Sequence, residues 1–460
     1  MLRWRKFTSM LIFRRISMRS RLLIPGCAFL ATLPVVAQAP ADLSSSVQAE
    51  LPALMETYKH LHRNPELSHY EEKTAAYMAG ELRKLGYTVT EHVGRYEDGT
   101  QAHGIVAVLE NGAGPRLLIR TELDALPVEE KTGLDYASTM KTTNAQGQNV
   151  SVMHACGHDI HMTALLGTAR EMAARRDKWH GTLMLIGQPS EEMIDGAKAM
   201  LADHLYERFG KPDFVLAEHV GNLAAAGTIA MKGGTLMAGA TSVNVTIRGV
   251  GSHGSAPEKG KDPIVLAAEF ILAAQTIVSR QTDPQTPAVV TVGTIHGGTK
   301  NNIIPEEVTM GLSLRSFSDE VRAQIVSELD REAKGLAEGY GIPADRMPTV
   351  SVFENTPATY NNPELTARMR AVGEAALGKA NVVDSPTLMV SEDVGQFSLG
   401  GKIPMVMFWL GGADPQKLEK SKRTGVSLPA NHSPLFAPVY EPAIRTGVTA
   451  VTAMALDILK

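Results

Sequence analysis

Cysteine is nearly absent: the 460 residues hold two, Cys27 and Cys156. Cys27 falls in an N-terminal segment read below as a leader, which leaves Cys156 alone. A single cysteine excludes an internal disulfide framework, even in a compartment that would permit one. Positive charge is not in excess either. Lysine and arginine number 45 against 49 acidic residues, a formal net charge of -4. With no basic run beyond the N-terminus, nucleic acid is not an expected partner. Internal repeats and long low-complexity segments are also missing. What remains is a composition of the soluble globular kind, 44% hydrophobic and 20% charged. The length calls for two domains, or three.

The N-terminus is basic for a separate reason. Arg3, Arg5, Lys6, Arg14, Arg15, Arg19 and Arg21 precede an apolar run over residues 22–36, and Ala37-Gln38-Ala39 matches an A-x-A cleavage site. This reads as a secretory signal peptide, residues 1–39, cut after Ala39, with a periplasmic or secreted product. The run is short for a spanning helix, so a retained anchor fits less well. Lipid attachment through Gly26-Cys27 fits less well again. Met18 is a more usual start than Met1.

The rest of the chain alternates helical and strand patterns. Leu51, Leu54, Met55, Tyr58 and Leu61 fall at helical spacing, and Pro65 stops the run. Ser68 with Glu71 makes a capping box, which predicts a second helix that ends at Gly86. Strands are expected at residues 87–89, 105–109 and 116–121, the last leading into Glu122-Leu123-Asp124. An amphipathic helix carries Met162, Leu165, Leu166, Ala169 and Met172. Apolar strands at 182–186 and 214–217 deliver Gln188-Pro189-Ser190-Glu191-Glu192 and Glu218-His219. Strands that alternate with helices build an α/β domain with a mainly parallel sheet and its chemistry along one rim.

The pattern changes near Gly233. Val243, Val245 and Ile247 alternate with polar residues, and a glycine-rich loop follows at 249–254. Asp262 caps a helix with Pro263 at its first position, running to about Arg280. Strands at 288–295 and 308–315 and a charged helix at 320–338 complete a β-α-β-β-α order. This is the order of a smaller α+β open-faced sandwich, inserted at residues 237–349. Residues 40–236 and 350–460 are then two parts of one larger domain. A helix capped at Asn362-Pro363, a strand at 405–410 and a final helix from about Pro442 return the chain to the first sheet.

One stretch stands out for its chemistry. Val152-Met153-His154-Ala155-Cys156-Gly157-His158-Asp159 puts a cysteine and a histidine two residues apart, beside an acid. Glu191-Glu192, His219 and His432 add weight to it. Thiolate, imidazole and carboxylate suit zinc and its neighbours. Taken as donors, Cys156, His158, Glu192, His219 and His432 are about as many as a two-metal site needs, with the thiolate able to bridge. On spacing alone His154 and His161 compete with His158. His60, His62, His69, His180 and His204 are left as surface or core residues. On an extended strand end Glu191 and Glu192 point to opposite sides, one to metal and one to substrate as a base. From residues alone, His253 is a loop histidine, and Asn302 and Arg315 are polar residues at strand ends. The Arg315 guanidinium should emerge at an edge, with a fork suited to a carboxylate.

Together these residues resemble the metallo-aminoacylase and carboxypeptidase family. The branch most similar is that of bacterial and plant N-acyl-amino-acid amidohydrolases, including hippurate and auxin-conjugate hydrolases. The resemblance runs from His62-Arg63-Asn64-Pro65-Glu66-Leu67 to His432-Ser433-Pro434. It is most specific at Met153-His154-Ala155-Cys156-Gly157-His158-Asp159 and at Gln188-Pro189-Ser190-Glu191-Glu192. Gly297-Gly298-Thr299, Asn302-Ile303-Ile304-Pro305 and Ser391-Glu392-Asp393 match as well.

The resemblance implies Cys156, His158, Glu192, His219 and His432 as ligands of two divalent ions, zinc before manganese, cobalt or nickel. It implies Glu191 as general base, with Asp124 behind the metals as an orienting group. The larger domain becomes catalytic, and the insert becomes a lid that dimerises. His253 would reach the other subunit's site and steady the oxyanion, while Asn302 and Arg315 hold the substrate carboxylate. Two positions depart from the branch: Glu122 stands where aspartate is usual, and Glu218 where an apolar residue precedes the histidine. The implied activity is metal-dependent hydrolysis of an N-acyl amino acid, or a small peptide with a free carboxylate, by a homodimer not bound to membrane once the leader is removed. A carboxypeptidase or dipeptidase is the alternative, and a non-catalytic metal-binding relative the more distant one.

Overall fold

The computed structural model describes residues 41–460. The leader, its cut after Ala39, and Cys27 lie outside the described residues. Four strands make the centre of an eight-stranded sheet. In spatial order Gly181–Gln188, Arg116–Glu122, Phe214–Ala225 and Met405–Ala413 run parallel to one another. Thr88–Arg95 and Gln101–Asn111 extend one side in antiparallel fashion. Ile229–Met231 joins the other side antiparallel, and Val382–Asp384 closes it, parallel to Ile229–Met231. The sheet is therefore mixed, with parallel pairing where the α/β pattern predicts it.

The central strands are apolar on both faces, so both faces are covered. Alternate side chains feed two cores. Leu117, Ile119, Leu183, Leu185 and Leu216 share one core with Leu54, Leu166 and Val448 of the helices Ala41–Arg63, His158–Ala174 and Tyr440–Ile458. Leu118, Met184, Ile186 and Val215 pack into the other. The register aligns Glu122 with Gln188 and His219 with Trp409. Parallel strands thus bring these positions to one rim.

A second, four-stranded sheet has the order Ala288–Gly297, Glu307–Ser316, Gly239–Arg248, Thr349–Thr356, all antiparallel. Val243, Val245, Ile247, Val308, Met310 and Leu312 pack on one face with the helices Pro263–Thr276 and Asp319–Gly339. Its fourth strand, Thr349–Thr356, was not anticipated and runs past residue 349. Ala288–Gly297 is an edge strand among the described residues. Its Ile295, with Ile264, Val265 and Leu272 of the neighbouring helix, is exposed.

Some local expectations need correction. The second helix is Glu72–Lys84, not a helix from Ser68, and no side chain caps it. His69 takes a left-handed φ of 71°, which breaks the run, and Ser68 Oγ donates to Asp124 Oδ2 instead (2.7 Å). The caps at Asp262 and Asn362 do form, to Ile264 N and Leu365 N. The Pro263 helix ends at Thr276 in a π-turn, Ile277–Gln281.

His62, left as an ordinary histidine, is buried between two acids. Nδ1 lies 2.7 Å from Asp159 Oδ2 and Nε2 3.2 Å from Glu130 Oε1. Burial alone would lower its pKa, but the bonds to Asp159 and Glu130 raise it from 6.5 to about 9. A raised pKa gives stability that is complete below pH 6.5 and lost as pH rises through 9. The shift corresponds to about 3 kcal/mol. Denaturant unfolding of wild type and His62→Gln should therefore differ most near pH 6 and converge above pH 9. A difference that does not change with pH would disprove this role for the ion pairs.

Candidate metal centre and substrate cavity

The site is built from the turn before the His158–Ala174 helix. Gly157 sits at φ 89°, where an added Cβ would lie 2.3 Å from Val220 Cγ1. Only glycine fits this left-handed position against the neighbouring strand. The turn brings Cys156 and His158 together with His219: one donor atom from each lies within 4.8 Å of the others. Cys156, Glu192 and His432 form a second such group. Cys156 is common to these two groups.

Hydrogen bonds fix which nitrogens face the site. His158 Nδ1–H donates to the Asp124 carbonyl (2.8 Å), leaving Nε2 buried with no partner. His219 Nδ1–H donates to the Val220 carbonyl (2.9 Å), and its Nε2 lies 3.4 Å from Cys156 Sγ. His432 Nε2 is 3.3 Å from Glu192 Oε2. Asn431 Nδ2 donates to the Cys156 and Val220 carbonyls (3.0 and 3.1 Å), joining the segments that carry Cys156 and His219. His161 does not compete with His158. Its Nδ1–H donates to Glu122 (2.8 Å) and its Nε2 accepts the Val220 N–H (2.7 Å). His154 is buried, and burial pushes its pKa down to about 4, so the ring is neutral.

Glu191 and Glu192 do not diverge from an extended end. The strand stops at Gln188, Ser190 turns with φ 51°, and residues 191–194 form a turn closed by Ile194 N to Glu191 O (2.8 Å). Both carboxylates consequently converge on His158 Nε2, at 3.7 and 3.9 Å. Asp124 lies behind them. It accepts the Glu192 N–H (3.0 Å) and the Ser68 hydroxyl, while its carbonyl orients His158. Glu71 holds the preceding residue, accepting the Ser190 N–H at 2.8 Å.

Arg120, absent from the sequence reading, is the buried cation of this region. It donates to Gln188 (2.8 Å), Glu392 (2.6 Å), Asp393 (3.0 Å) and Glu122. An arginine inside an apolar strand was its only sequence signal. Glu122, the first departure from the branch, is thereby tied to Arg120 and His161. Glu218, the second, faces away from the site. Its oxygens lie 2.8 Å from where a Cβ on Gly447 would stand, in the final helix. Burial raises its pKa to about 8.

The charge balance fits bound cations. Burial, then Glu192 and Glu191, push the Cys156 thiol well above its usual range. Burial and Glu392 likewise raise Glu191, and burial takes Glu192 to about 7. His158 is lowered by burial but raised overall to about 10, chiefly by Glu122 and Asp124. Without metal the site thus holds protons where divalent ions would place positive charge. His158 Nε2 and Glu192 Oε1, which have no hydrogen-bond partner, complete with the thiol a donor set that suits them.

These groups open onto a cavity of about 740 Å³. Cys156, Glu191, Glu192, His219 and His432 line it together with Arg315 from the small sheet. Trp409 packs on His219 with ring centroids 5.3 Å apart and also lines it, as does Ser391. Of the two residues expected to share a carboxylate, only Arg315 is there. Asn302 and His253 are exposed and lie in loops joined by the two-residue ladder Ser252–His253 with Ile303–Ile304. His253 Nδ1 accepts from Ser255 Oγ (2.7 Å). Within one chain these two residues do not line the metal cavity.

A parallel-sheet rim carrying overlapping thiol, imidazole and carboxylate donor groups is the arrangement of a metal-dependent hydrolase. Residues 118–426 match the model of peptidase family M20/M25/M40. The chain is 36% identical to hippurate hydrolase of Campylobacter jejuni over 76% of its length and 86% of that protein. It is 32% identical to thermostable carboxypeptidase 2 of Saccharolobus solfataricus over 88% of its length and 94% of that protein. Its fold is similar to that of the Bacillus subtilis YXEP protein, a dinuclear metal-binding peptidase of family M20. The TM-score is 0.70 at 26% identity, covering 90% of this chain and 99% of that one. The chain belongs to peptidase family M20/M25/M40 and is a metallo-amidohydrolase with two divalent metal ions.

Metal binding should displace the protons that the bare site holds on Cys156, His158 and Glu192. Zinc added to the metal-free protein near pH 7 should release protons, measurable as heat in buffers of differing ionisation enthalpy. Binding without proton release would contradict this charge balance.

Proposed function

We propose that the chain hydrolyses the amide bond of N-acyl amino acids, or of small peptides, that keep a free carboxylate. One observation carries the reading: the cavity lined by Cys156, Glu192, His219 and His432 also presents Glu191 and Arg315. Cys156, His158, Glu192, His219 and His432 would hold the ions, with Cys156 common to both, and zinc suits this cysteine–histidine set. What divalent ions supply at such a site is polarisation of the carbonyl and a more acidic water. Glu191 takes the proton of the attacking water and gives it to the leaving nitrogen. Asp124 orients His158 and the Glu192 backbone. Arg315 pairs with the substrate carboxylate and so selects free acids over esters or amides. Similarity to hippurate hydrolase supports an acyl-amino-acid substrate, and similarity to a carboxypeptidase keeps C-terminal peptide cleavage as the second reading.

The proposed unit is a homodimer joined through residues 237–349. The exposed edge strand Ala288–Gly297 and the exposed Ile264, Val265 and Leu272 support that surface. His253 and Asn302, exposed and remote from their own cavity, would complete the site of the other subunit. The leader pattern supports a periplasmic enzyme, free of membrane after cleavage.

The test is amine release from acetyl-, benzoyl- and indoleacetyl-amino acids and matched dipeptides, after chelation and after each of zinc, manganese, cobalt and nickel is restored. Activity that returns with metal, and is lost when the substrate carboxylate is blocked, is the expected result. No activity with any metal would reject this substrate class. Glu191→Gln should retain metal and lose about 10²–10⁴-fold in kcat; near-normal turnover would remove Glu191 from its role. His253→Ala subunits mixed with Glu191→Gln subunits should regain activity that neither homodimer has. No recovery in verified heterodimers would exclude the exchange of His253 between subunits.

A further inference from the structure

The Pro415–Thr424 helix is unlike the other helices at the site, because none of its residues is fully buried. It is well specified locally. Asp414 caps it, accepting from the Gln416 and Lys417 backbone N–H groups (3.0 and 2.9 Å), and Gly425 ends it in a left-handed turn. Lys417, Glu419, Lys420, Lys422 and Arg423 are exposed. Leu418 and Ser421, three positions apart on one face, are half-buried, and both line the 740 Å³ cavity. This helix gives its leucine to the cavity and no fully buried residue to a core.

The loop that follows adds Leu428 to the same lining. Asn222 Nδ2 donates to the Pro429 carbonyl (2.6 Å), which ties this loop to the strand carrying His219 and Leu223. Leu223 also lines the cavity and is 45% exposed. These leucines come from the large-sheet domain, whereas Arg315 comes from the small sheet. A substrate whose carboxylate meets Arg315 and whose carbonyl lies at the donor groups has its acyl group left to place.

We propose that Leu418, with Leu223 and Leu428, receives the acyl group, so that this helix makes the enzyme prefer bulky apolar acyl groups to acetyl. This rests on the N-acyl-amino-acid reading and names the half of the substrate that reading leaves open. Leu418 is the specificity-determining residue, and it lies outside the reacting groups.

The experiment compares kcat/KM for N-benzoylglycine and N-acetylglycine in the metal-loaded protein and in Leu418→Asn and Leu428→Asn. Wild type should favour benzoyl. Each variant should lower the benzoyl-to-acetyl ratio by about tenfold or more, with metal content, Tm and the ranking of amino-acid side chains unchanged. Wild-type preference for acetyl, or a ratio unchanged in both variants, would overturn the inference. Failure of wild type to hydrolyse either substrate is a distinct result: it would remove the parent reading and this one with it.

Discussion

The rim of the large sheet is organised by buried carboxyl groups that need cations before they can ionise. Glu122, Asp124, Glu191, Glu392 and Asp393 are buried there, and the Glu192 side chain is almost so. Carboxylates are costly to bury unless paired. Arg120 answers part of the demand from within the sheet, binding Glu122, Glu392 and Asp393 at once. It does not reach Glu192, His158 or Cys156, which cluster beside the cavity. Divalent ions held by Cys156, His158 and Glu192 would answer the part that the protein leaves unmet. A stable scaffold and an electrophilic site thus follow from one uneven distribution of charge.

The same charge positions the candidate donor residues. Arg120 holds Glu122, Glu122 holds His161, and His161 accepts the Val220 N–H. The Val220 carbonyl in turn orients His219. Asp124 does the same for His158 and for the backbone of Glu192. These bonds engage Nδ1 of His158 and of His219 and leave Nε2 of each as the available donor. Glu122 is accommodated because His161 and Arg120 both reach it. Glu218 is accommodated for the opposite reason: its side chain points under the sheet, toward Gly447.

Much of this was legible in order along the chain. Apolar runs located the central strands, and the caps at Asp262 and Asn362 marked their helices. The donor residues were readable as types, because thiol, imidazole and carboxylate name their own chemistry. Less legible were features that depend on a partner far away in sequence. Ser68 looked like a helix cap until Asp124, from a later strand end, claimed its hydroxyl. Glu191 and Glu192 looked divergent because the positive φ of Ser190 has no sequence signature. Arg120 inside an apolar strand and Leu418 among charged residues gave no signal of their roles, and neither entered the reading of the sequence.

The sequence by itself determined the inventory: an α/β chain with an inserted α+β segment, a lone cysteine among histidines, and acids at strand ends. It could do so because periodicity and side-chain chemistry are local properties. Only the tertiary structure decided which nitrogen of each histidine is free, that both glutamates converge, and that Cys156 belongs to two donor groups. It also decided that Arg315 shares the cavity while His253 and Asn302 do not. Those outcomes depend on distances between segments up to hundreds of residues apart, which strand register and helix packing alone establish.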